Sequence, residues 1–345
     1  MKAALYYSNR DIRLVEMPDP VPGPGEVLVR IFSSGICGSD VLEWYRIKTA
    51  PRVLGHEVAG VVESIGAGVE KFAPGNRVFV THHVPCNTCP RCAAGHHTDC
   101  DTLHHTNFDP GGFAQLLRVP TLQVDRGMLQ LPAGVTFDAG SFTEPLACVV
   151  RGQRLAGLQP GMSLAVIGAG ISGILHIALA HARGVFPIVA VDISEPRRRL
   201  ALRFGAQSAL APNEDVGAQL RRLAGRLADV VIVCAGILPA FHQALELVEP
   251  GGTVLAFAVP PPEEKMSFPL FEFWKKGARL VSTYAGTLAD CREALGLISS
   301  RAVPVEEMIT HRLPLEEIGR GFELVLKGGE ALKVIIRPNG PPPEH

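Results

Sequence analysis

Residues 166–173 read Val-Ile-Gly-Ala-Gly-Ile-Ser-Gly, and this stretch decides the fold of half the chain. Val166 and Ile167 are typical of the end of a buried strand, and the apolar residues from Ile174 to Arg183 predict a helix. The three glycines between them follow G-x-G-x-x-G, which permits a tight turn, close approach to a pyrophosphate and close packing of helix on strand. Unpaired N–H groups at the start of the helix bind phosphate. The pattern therefore predicts a dinucleotide site beside a parallel sheet.

The next β run ends in an acidic residue, Asp192, 19 residues after the last glycine of the motif. A carboxylate there hydrogen-bonds the ribose hydroxyls and repels a 2′-phosphate, so NAD is favoured over NADP. Nearby arginines leave NADP open, although a solvated helix face also explains them. The competing interpretation is a glycine-rich turn in an unrelated α/β protein. The residues expected at the cofactor are Gly168, Gly170, Ile171, Ser172, Gly173, Asp192 and Arg197.

Length and composition limit the class of protein. A chain of 345 residues predicts about two domains, and 47% hydrophobic residues supply apolar side chains for their cores. Lys and Arg number 33 against 34 Asp and Glu, so no global field attracts nucleic acid or a membrane, and the expected partner is a small molecule. The N-terminal residues lack the apolar run of a signal peptide, and four of the eight cysteines crowd together, which together favour a reducing, cytoplasmic location.

The rhythm of the sequence changes twice along the chain. Short β runs separated by Gly, Pro and Asn predict a small all-β unit in the first part of the chain. From about residue 147 to 281, β runs alternate with helical stretches, which predicts a separate α/β domain with a parallel sheet. Two helical segments and a strand at Leu332–Arg337 follow.

Four cysteines lie within fifteen residues of a Pro- and Gly-containing loop. A shell of four thiolates leaves no position for substrate, so the spacing C-x2-C-x2-C-x7-C predicts a structural zinc. An iron–sulfur cluster is the competing interpretation, but its bacterial pattern places a proline directly after the last cysteine, where this chain has Asp101. The predicted ligands are Cys86, Cys89, Cys92 and Cys100.

A second set of metal-binding residue types comes from separate segments: Gly-Ile-Cys-Gly-Ser-Asp at 35–40, Gly-His-Glu at 55–57 and Glu-Pro-Leu at 144–146. A thiolate, an imidazole and a carboxylate are the ligands of an open, catalytic zinc site. Singly, Cys37 is more typical of a buried thiol and His56 of a core histidine, so the prediction depends on their combination. The predicted residues of the site are Cys37, Ser39, His56, Glu57 and Glu144.

These motifs, in this order and across nearly the whole chain, resemble those of the zinc-dependent medium-chain dehydrogenases. The sequence is more similar to the sorbitol (polyol) and threonine dehydrogenase branch than to the ethanol-oxidising branch, which has Cys where this chain has Glu144. The resemblance implies an α/β protein with a GroES-like β-rich catalytic domain and a Rossmann NAD-binding domain, an active cleft where they meet, and a homotetramer or homodimer. The expected bounds are 1–148 with 285–345, including the zinc lobe 86–100, and 149–284.

The resemblance implies that the predicted catalytic zinc site oxidises an alcohol with NAD. With the structural zinc of the four-cysteine lobe, two Zn²⁺ per chain are expected. Zinc acts as a Lewis acid on the alcohol, and Ser39 is the expected first proton carrier, the role that the family gives to this place. Asp40 is expected to hold the imidazole of His56 in its metal-binding tautomer, although an ordinary turn residue fits as well. One carboxylate is expected to bind at a time; related polyol enzymes suggest Glu57 at rest, with Glu144 exchanging.

The expected function is reversible hydride transfer from a secondary alcohol, such as a polyol or sugar alcohol, to NAD. An L-threonine 3-dehydrogenase-like activity on a β-hydroxy amino acid is an alternative, as is a zinc-free quinone reductase of the same superfamily. A non-catalytic metal-ribbon protein that senses dinucleotides is an alternative of another class. The sequence does not name the substrate, and it leaves several histidines open between surface positions and contacts with a polar substrate: His82, His83, His104 and His105.

Overall fold

The computed structural model describes residues 1–341, and the chain divides into two compact units. One unit contains residues 1–147 and the chain from 285 onward, and the other contains residues 148–284. The described strands, in chain order, are β1 (Lys2–Ser8), β2 (Asp11–Glu16), β3 (Val27–Gly35), β4 (Arg52–Val53), β5 (Glu57–Ile65), β6 (Arg77–Val80), β7 (Leu116–Val119), β8 (Met128–Gln130), β9 (Leu164–Ile167), β10 (Ile188–Val191), β11 (Ser208–Leu210), β12 (Ala228–Val233), β13 (Val248–Ala256), β14 (Arg279–Ser282), β15 (Ile309–Pro314) and β16 (Lys333–Arg337).

The described α-helices are of four to six residues before residue 142 and of seven to thirteen residues after it. Single turns of 3-10 helix cover Gly38–Val41, Ile47–Thr49, His97–Asp99, Val305–Met308 and Leu315–Glu317. The described α-helices are α1 (Glu43–Arg46), α2 (Pro90–Ala93), α3 (Asp101–His105), α4 (Thr121–Arg126), α5 (Phe137–Ser141), α6 (Thr143–Leu155), α7 (Ile171–Ala182), α8 (Glu195–Arg203), α9 (Val216–Ala224), α10 (Leu238–Leu247), α11 (Leu270–Lys276), α12 (Leu288–Ser299) and α13 (Ile318–Lys327). No helix of the described residues is both long and apolar enough to cross a membrane.

The first unit contains two sheets, as the short β runs in its sequence predict. A three-stranded sheet has the order β2-β1-β4, and a seven-stranded sheet has the order β15-β16-β3-β5-β6-β8 with β7 also paired to β3. Val27, Val29 and Ile31 alternate along β3 and are fully buried, because one face of the strand packs on the core. Strand β16 pairs with β3, so the last strand of the described residues completes a sheet that the first 35 residues begin.

The second unit is a parallel six-stranded sheet with the order β11-β10-β9-β12-β13-β14. Counted along the chain this is 3-2-1-4-5-6, the doubly wound Rossmann order, and it confirms the predicted α/β fold. All four residues of β9 and all four of β10 are buried, as expected of central parallel strands covered on both faces. The strand order reverses between β9 and β12, and the carboxyl ends of strands at such a point are where ligands bind.

Candidate active site and metal centres

The sulfur atoms of the four clustered cysteines converge. Cys86, Cys89, Cys92 and Cys100 place their Sγ atoms within 4.8 Å of one another. Cys86 Sγ lies 3.6 Å from Cys100 Sγ and 4.0 Å from Cys92 Sγ. Four sulfurs at about 2.3 Å from a zinc ion form a tetrahedron with edges of about 3.8 Å, which agrees with these separations. The residues therefore fit a closed zinc site, and all four thiols are free of disulfides.

The backbone of this lobe stabilises a thiolate. Hydrogen bonds from the Thr88 hydroxyl and from the backbone N–H groups of Thr88 and Cys89 lower the pKa of Cys86 to about 5. Burial raises the pKa of Cys92 to about 12 in the metal-free protein, so a metal must displace that proton. His96 is exposed and His97 is half-buried, and the four-cysteine group contains neither.

A thiol, an imidazole and a carboxylate from two separate segments meet in the first unit. Cys37 precedes a 3-10 turn that follows β3, His56 precedes β5, and Glu57 opens β5. One donor atom from each lies within 4.8 Å of the others. Glu57 is 1% exposed and His56 is 8% exposed, so water competes little for these donors. This set suits Zn²⁺, and three protein ligands leave a fourth position for substrate.

A buried carboxylate, that of Asp40, contacts the imidazole of His56. Asp40 is fully buried, and its Oδ1 lies 3.4 Å from His56 Nδ1, while its Oδ2 accepts a hydrogen bond from the backbone N–H of Cys37. Burial lowers the pKa of His56, but the charges of Asp40 and Cys37 outweigh it and raise that pKa well above its ordinary value. A carboxylate on Nδ1 leaves Nε2 for a metal, the arrangement common among metal-binding histidines.

Ser39 lies beside the thiol and is held by an arginine. Its backbone N–H donates to Cys37 Sγ at 3.4 Å. Arg46 donates to the Ser39 hydroxyl at 2.8 Å through Nη2 and to the Ser39 carbonyl at 2.9 Å through Nε. The position of the hydroxyl is thus fixed next to the metal-binding group.

Glu57 has a buried counter-ion that the sequence analysis missed. Lys333 Nζ forms a close ion pair with Glu57 Oε2 and donates to the Ile36 carbonyl at 3.2 Å. Gly35 lies between the two side chains: a Cβ there would be 1.9 Å from Glu57 Oε2 and 2.7 Å from Lys333 Cε. The only signal in the sequence is a lysine at the head of an apolar strand, Lys-Val-Ile-Ile.

Glu144 lies in a second, adjacent group rather than with Cys37. It belongs to the first turn of α6, and its carboxylate is grouped with His82 and His83, one ligand atom of each lying within 4.8 Å of the others. The His82 ring is 4.8 Å from the His56 ring between centroids, so the two groups adjoin. Burial and neighbouring positive charges lower the pKa of both histidines, that of His83 to about 3. His104 and His105, by contrast, are exposed.

The glycine motif lines a cavity of about 620 Å³ in the second unit, a volume typical of small-molecule sites. Gly168 and Gly170 form part of its wall together with Asp192 and Arg197. Gly173 packs α7 onto the turn, because a Cβ there would be 1.9 Å from the Gly168 carbonyl oxygen. Gly170 has open space above it, its nearest neighbour being Arg197 Nη1 at 3.9 Å from a Cβ position.

Asp192 already accepts two backbone hydrogen bonds. Oδ2 accepts from Ala169 N–H and Oδ1 from Ser194 N–H, each at 2.7 Å. Each carboxylate oxygen has a second lone pair, so the group can still accept from a ribose hydroxyl. The Nε atom of Arg197 is buried and has no hydrogen-bond partner among the described residues, so this side chain retains donor capacity beside the cavity.

Comparisons with known proteins agree with this geometry. Residues 23–131 match the family described as the alcohol dehydrogenase GroES-like domain, and residues 172–300 match the zinc-binding dehydrogenase family. Sorbitol dehydrogenase of Gallus gallus is 30% identical over 97% of this chain and 96% of its own. The chain belongs to the zinc-containing medium-chain alcohol dehydrogenase family. This family assignment confirms the GroES-like and Rossmann architecture that the motifs imply.

Solved structures of this dehydrogenase family superpose along almost the whole chain. An alcohol dehydrogenase from Thermus sp. ATN1 is 31% identical with a TM-score of 0.86, over 98% of this chain and 99% of its own. A zinc-binding dehydrogenase from Sinorhizobium meliloti 1021 is 30% identical with a TM-score of 0.85 and the same coverage, and its structure contains NADP. The protein is therefore a zinc-dependent dehydrogenase of the alcohol and polyol type that uses a nicotinamide cofactor.

Proposed function

We propose that this dehydrogenase transfers hydride reversibly from a secondary alcohol, such as a polyol or sugar alcohol, to NAD, and that each chain holds two zinc ions. The observation that carries the proposal is the group Cys37, His56 and Glu57, whose donor atoms lie within 4.8 Å of one another. When bound, the ion supplies Lewis-acid chemistry, lowering the pKa of an alcohol hydroxyl. The four-cysteine lobe holds the other, structural ion.

The chain's own residues hold the reacting groups and move the proton. Asp40 fixes the His56 tautomer through the 3.4 Å contact with Nδ1. Ser39 Oγ accepts from Arg46, which leaves its second lone pair for the proton of the alcohol and its own hydrogen for transfer onward to the cofactor ribose. Ser39 is accordingly the proposed first proton carrier.

Lys333 changes the charge balance between the two glutamates. Without it, zinc with Cys37 thiolate and one carboxylate is neutral, and a second carboxylate makes the site anionic. With the Lys333 ammonium included, the site carries one positive charge with Glu57 alone and becomes neutral with Glu144 added. We retain Glu57 as the proposed resting ligand because it is grouped with Cys37 and His56, while Glu144 is grouped with two histidines. With Lys333 included, the net charge of the site does not prevent Glu57 and Glu144 from binding the zinc at the same time.

NAD is the proposed cofactor because Asp192 lies in the wall of the cavity that the glycine motif lines. Its carboxylate disfavours a 2′-phosphate, whereas Arg197 in the same wall retains an unpaired Nε for one. The ratio of kcat/KM for NAD to that for NADP measures the balance, and a ratio above one is expected.

We also propose a cytoplasmic homo-oligomer, with a dimer or a tetramer as the forms to be distinguished. Strand β14 is an edge strand, and large apolar side chains on and near it are exposed, an arrangement that favours pairing with another copy. These side chains are Leu270, Phe271, Trp274, Leu280 and Tyr284. A cytoplasmic location agrees with eight cysteines that are all free thiols. Light scattering gives the mass of the assembly.

Zinc content and turnover of the Cys37→Ser variant test the function together. We expect two zinc per chain in the wild type and one in the variant, because the serine hydroxyl is a poor replacement for a thiolate ligand. Turnover of a panel of polyols and secondary alcohols should be abolished, while NAD binding, measured by fluorescence, is unchanged. Cys291→Ser, a buried thiol outside both metal groups, is the control. Unchanged turnover in Cys37→Ser would refute the assignment.

A further inference from the structure

A third group of metal-binding side chains adjoins the group that contains Cys37. It consists of His82, His83 and Glu144, each of which offers a ligand atom within 4.8 Å of the other two, the limit that the Cys37-containing group also meets. Zinc bonds of about 2.0–2.1 Å hold the ligand atoms of a tetrahedral site about 3.4 Å apart. Small movements of the three side chains would therefore bring their ligand atoms to one ion.

The backbone brings the two imidazoles to the same side of the chain. His82 and His83 are consecutive, yet their rings lie side by side with centroids 3.6 Å apart. Successive side chains of a β-strand point to opposite faces, so a strand would separate them. Strand β6 ends at Val80, and the chain bends at His82 outside any strand or helix. The bend places both rings next to Glu144, in the first turn of α6.

The three side chains are shielded from water. Glu144 is 8% exposed, and both histidines are half-buried. His82 Nδ1 is buried and has no hydrogen-bond partner among the described residues. A buried polar atom without a partner is costly, and a neutral imidazole binds a metal through either of its ring nitrogens. A cation held by this group would thus give the His82 ring a partner.

The donor atoms indicate which kind of cation fits. Two imidazole nitrogens and one carboxylate oxygen suit Zn²⁺ and similar transition-metal ions, whereas Ca²⁺ and Mg²⁺ prefer oxygen ligands. Unlike the two cysteine-containing groups, this one includes no thiolate.

The position lies close to the catalytic group, since the centroids of the His82 and His56 rings are 4.8 Å apart. Two cations at neighbouring positions repel each other. We therefore expect this position to bind more weakly than the two proposed zinc sites and to fill after them.

We propose that His82, His83 and Glu144 bind a further divalent transition-metal ion, Zn²⁺ or an ion of similar ligand preference, beside the catalytic group. The ion is additional to the two proposed zinc ions and exchanges with ions in solution. This inference goes beyond the proposed function, because it concerns binding and is tested without turnover of an alcohol.

Titration of the purified, zinc-loaded enzyme with Co²⁺ tests the proposal. Equilibrium dialysis should show one further ion per chain, with the zinc content unchanged. Co²⁺ bound through nitrogen and oxygen absorbs visible light, but it lacks the strong near-ultraviolet charge-transfer band that a thiolate ligand produces. The spectrum therefore distinguishes this position from both cysteine-containing groups.

Three variants make the result specific to this group. His83→Ala should weaken Co²⁺ binding about 100-fold or more, because losing even an outer hydrogen-bond partner of a metal ligand costs about 10- to 100-fold. His83→Cys keeps a ligand at this position and should bind Co²⁺ with a new thiolate charge-transfer band. His105→Ala removes an exposed imidazole of α3 and should bind Co²⁺ like the wild type.

Each of three results would overturn the proposal. They are no further Co²⁺ bound at concentrations up to about 1 mM, equal Co²⁺ binding by the wild type and His83→Ala, or Co²⁺ bound to His83→Cys without the thiolate band. Purified enzyme without zinc at Cys37 would instead refute the proposed dehydrogenase site. The comparison of the wild type with His83→Ala still decides the role of His83 in that case, because Cys37 is the same in both proteins.

Discussion

The ion pair between Glu57 and Lys333 is the feature in which a single residue most affects the site. Both side chains are at most 1% exposed, so neither charge is screened by water. The lysine Nζ also lies 5.5 Å from the centroid of the Phe142 ring. A buried charge without a partner is costly, and Lys333 supplies the counter-charge of Glu57.

Lys333→Met should destabilise the protein strongly. Removing one partner of a buried pair leaves an uncompensated charge, and about 3 kcal/mol or more of unfolding free energy is expected to be lost. Chemical denaturation measures it. Lys327→Met is the matched control, since Lys327 is 77% exposed and its pair with Glu323 should contribute less than about 1 kcal/mol. Equal stability of the two variants would contradict a tightly paired Glu57.

The sequence predicts Cys37 and His56 as site residues but not Lys333, because Lys333 contacts a residue that is far away in the sequence. Cys37 and His56 each belong to a short motif that is visible locally. Lys333 reaches Glu57 only because β16 pairs with β3, where Ile335 lies opposite Gly35, and β3 pairs with β5, where Gly35 lies opposite Glu57. No pattern in the local sequence predicts the pairing of Glu57 with Lys333, which are 276 positions apart.

At the scale of elements, the four-cysteine lobe is a small structure that depends on its metal. Its short helices α2 and α3 are each a little over one turn, and its apolar core consists of little more than Leu103 and the cysteines. Helices this short are unstable alone in water. The zinc ion therefore supplies much of the free energy that orders the lobe.

Cys89→Ser should remove the structural zinc and leave the other. We expect a loss of about one zinc per chain and a lower melting temperature, because an incomplete shell binds the ion weakly. His96→Ala alters an exposed histidine of the same loop and should keep both zinc ions. Metal analysis and calorimetric melting are the measurements. An unchanged melting temperature with the lobe zinc absent would contradict a structural role.

A second element-scale contact joins α5 to the last two strands. Asp138 is buried and accepts hydrogen bonds from Ser33, Arg312 and Arg337, at 2.5 to 2.7 Å for the shortest contact with each. Burial raises the pKa of Asp138, but the hydrogen bonds from these three residues outweigh it and lower that pKa below its ordinary value. A carboxyl group with a lowered folded-state pKa stabilises the fold above its unfolded pKa, and this contribution is lost as pH falls through the folded pKa.

Asp138→Asn should therefore reduce stability in a pH-dependent way. We expect a loss of about 1–3 kcal/mol near neutral pH, constant above about pH 5 and shrinking below it as the wild-type carboxyl gains its proton. Denaturation at a series of pH values measures the difference. Asp125→Asn changes an exposed ion-paired carboxyl and should have a much smaller effect. A difference that does not vary with pH would mean that the charge of Asp138 contributes nothing.

Element prediction from the sequence succeeds where periodicity is strong. The strand predicted at Leu332–Arg337 is found at Lys333–Arg337, and the helix predicted at 174–183 begins three residues earlier, directly after Gly170. Strand β14 (Arg279–Ser282) is missed because it is an exposed edge strand of four residues without a buried face. Helix α6 is missed because its polar residues obscure the helical period.

At the scale of the whole molecule, the first unit is assembled from both ends of the chain. Strands β15 and β16 join the sheet through β3, and α13 packs on β16. Local sequence does not predict that this C-terminal segment pairs with the N-terminal part of the chain. Only the resemblance to the zinc-dependent dehydrogenases implies that both ends of the chain belong to one unit. The parallel sheet of the second unit, in contrast, is predicted by the alternation of consecutive β and α segments, although its edge strand β14 is not.

The central claim is that an ion with an open position is held by Cys37 and His56. Anomalous diffraction at the zinc edge, from crystals of the zinc-loaded enzyme that oxidises an alcohol in solution, tests it most directly. The account predicts two peaks per chain, one among the four cysteines and one at about 2.3 Å from Cys37 Sγ and about 2.0–2.1 Å from a His56 nitrogen. A single peak, at the four cysteines, would contradict the account.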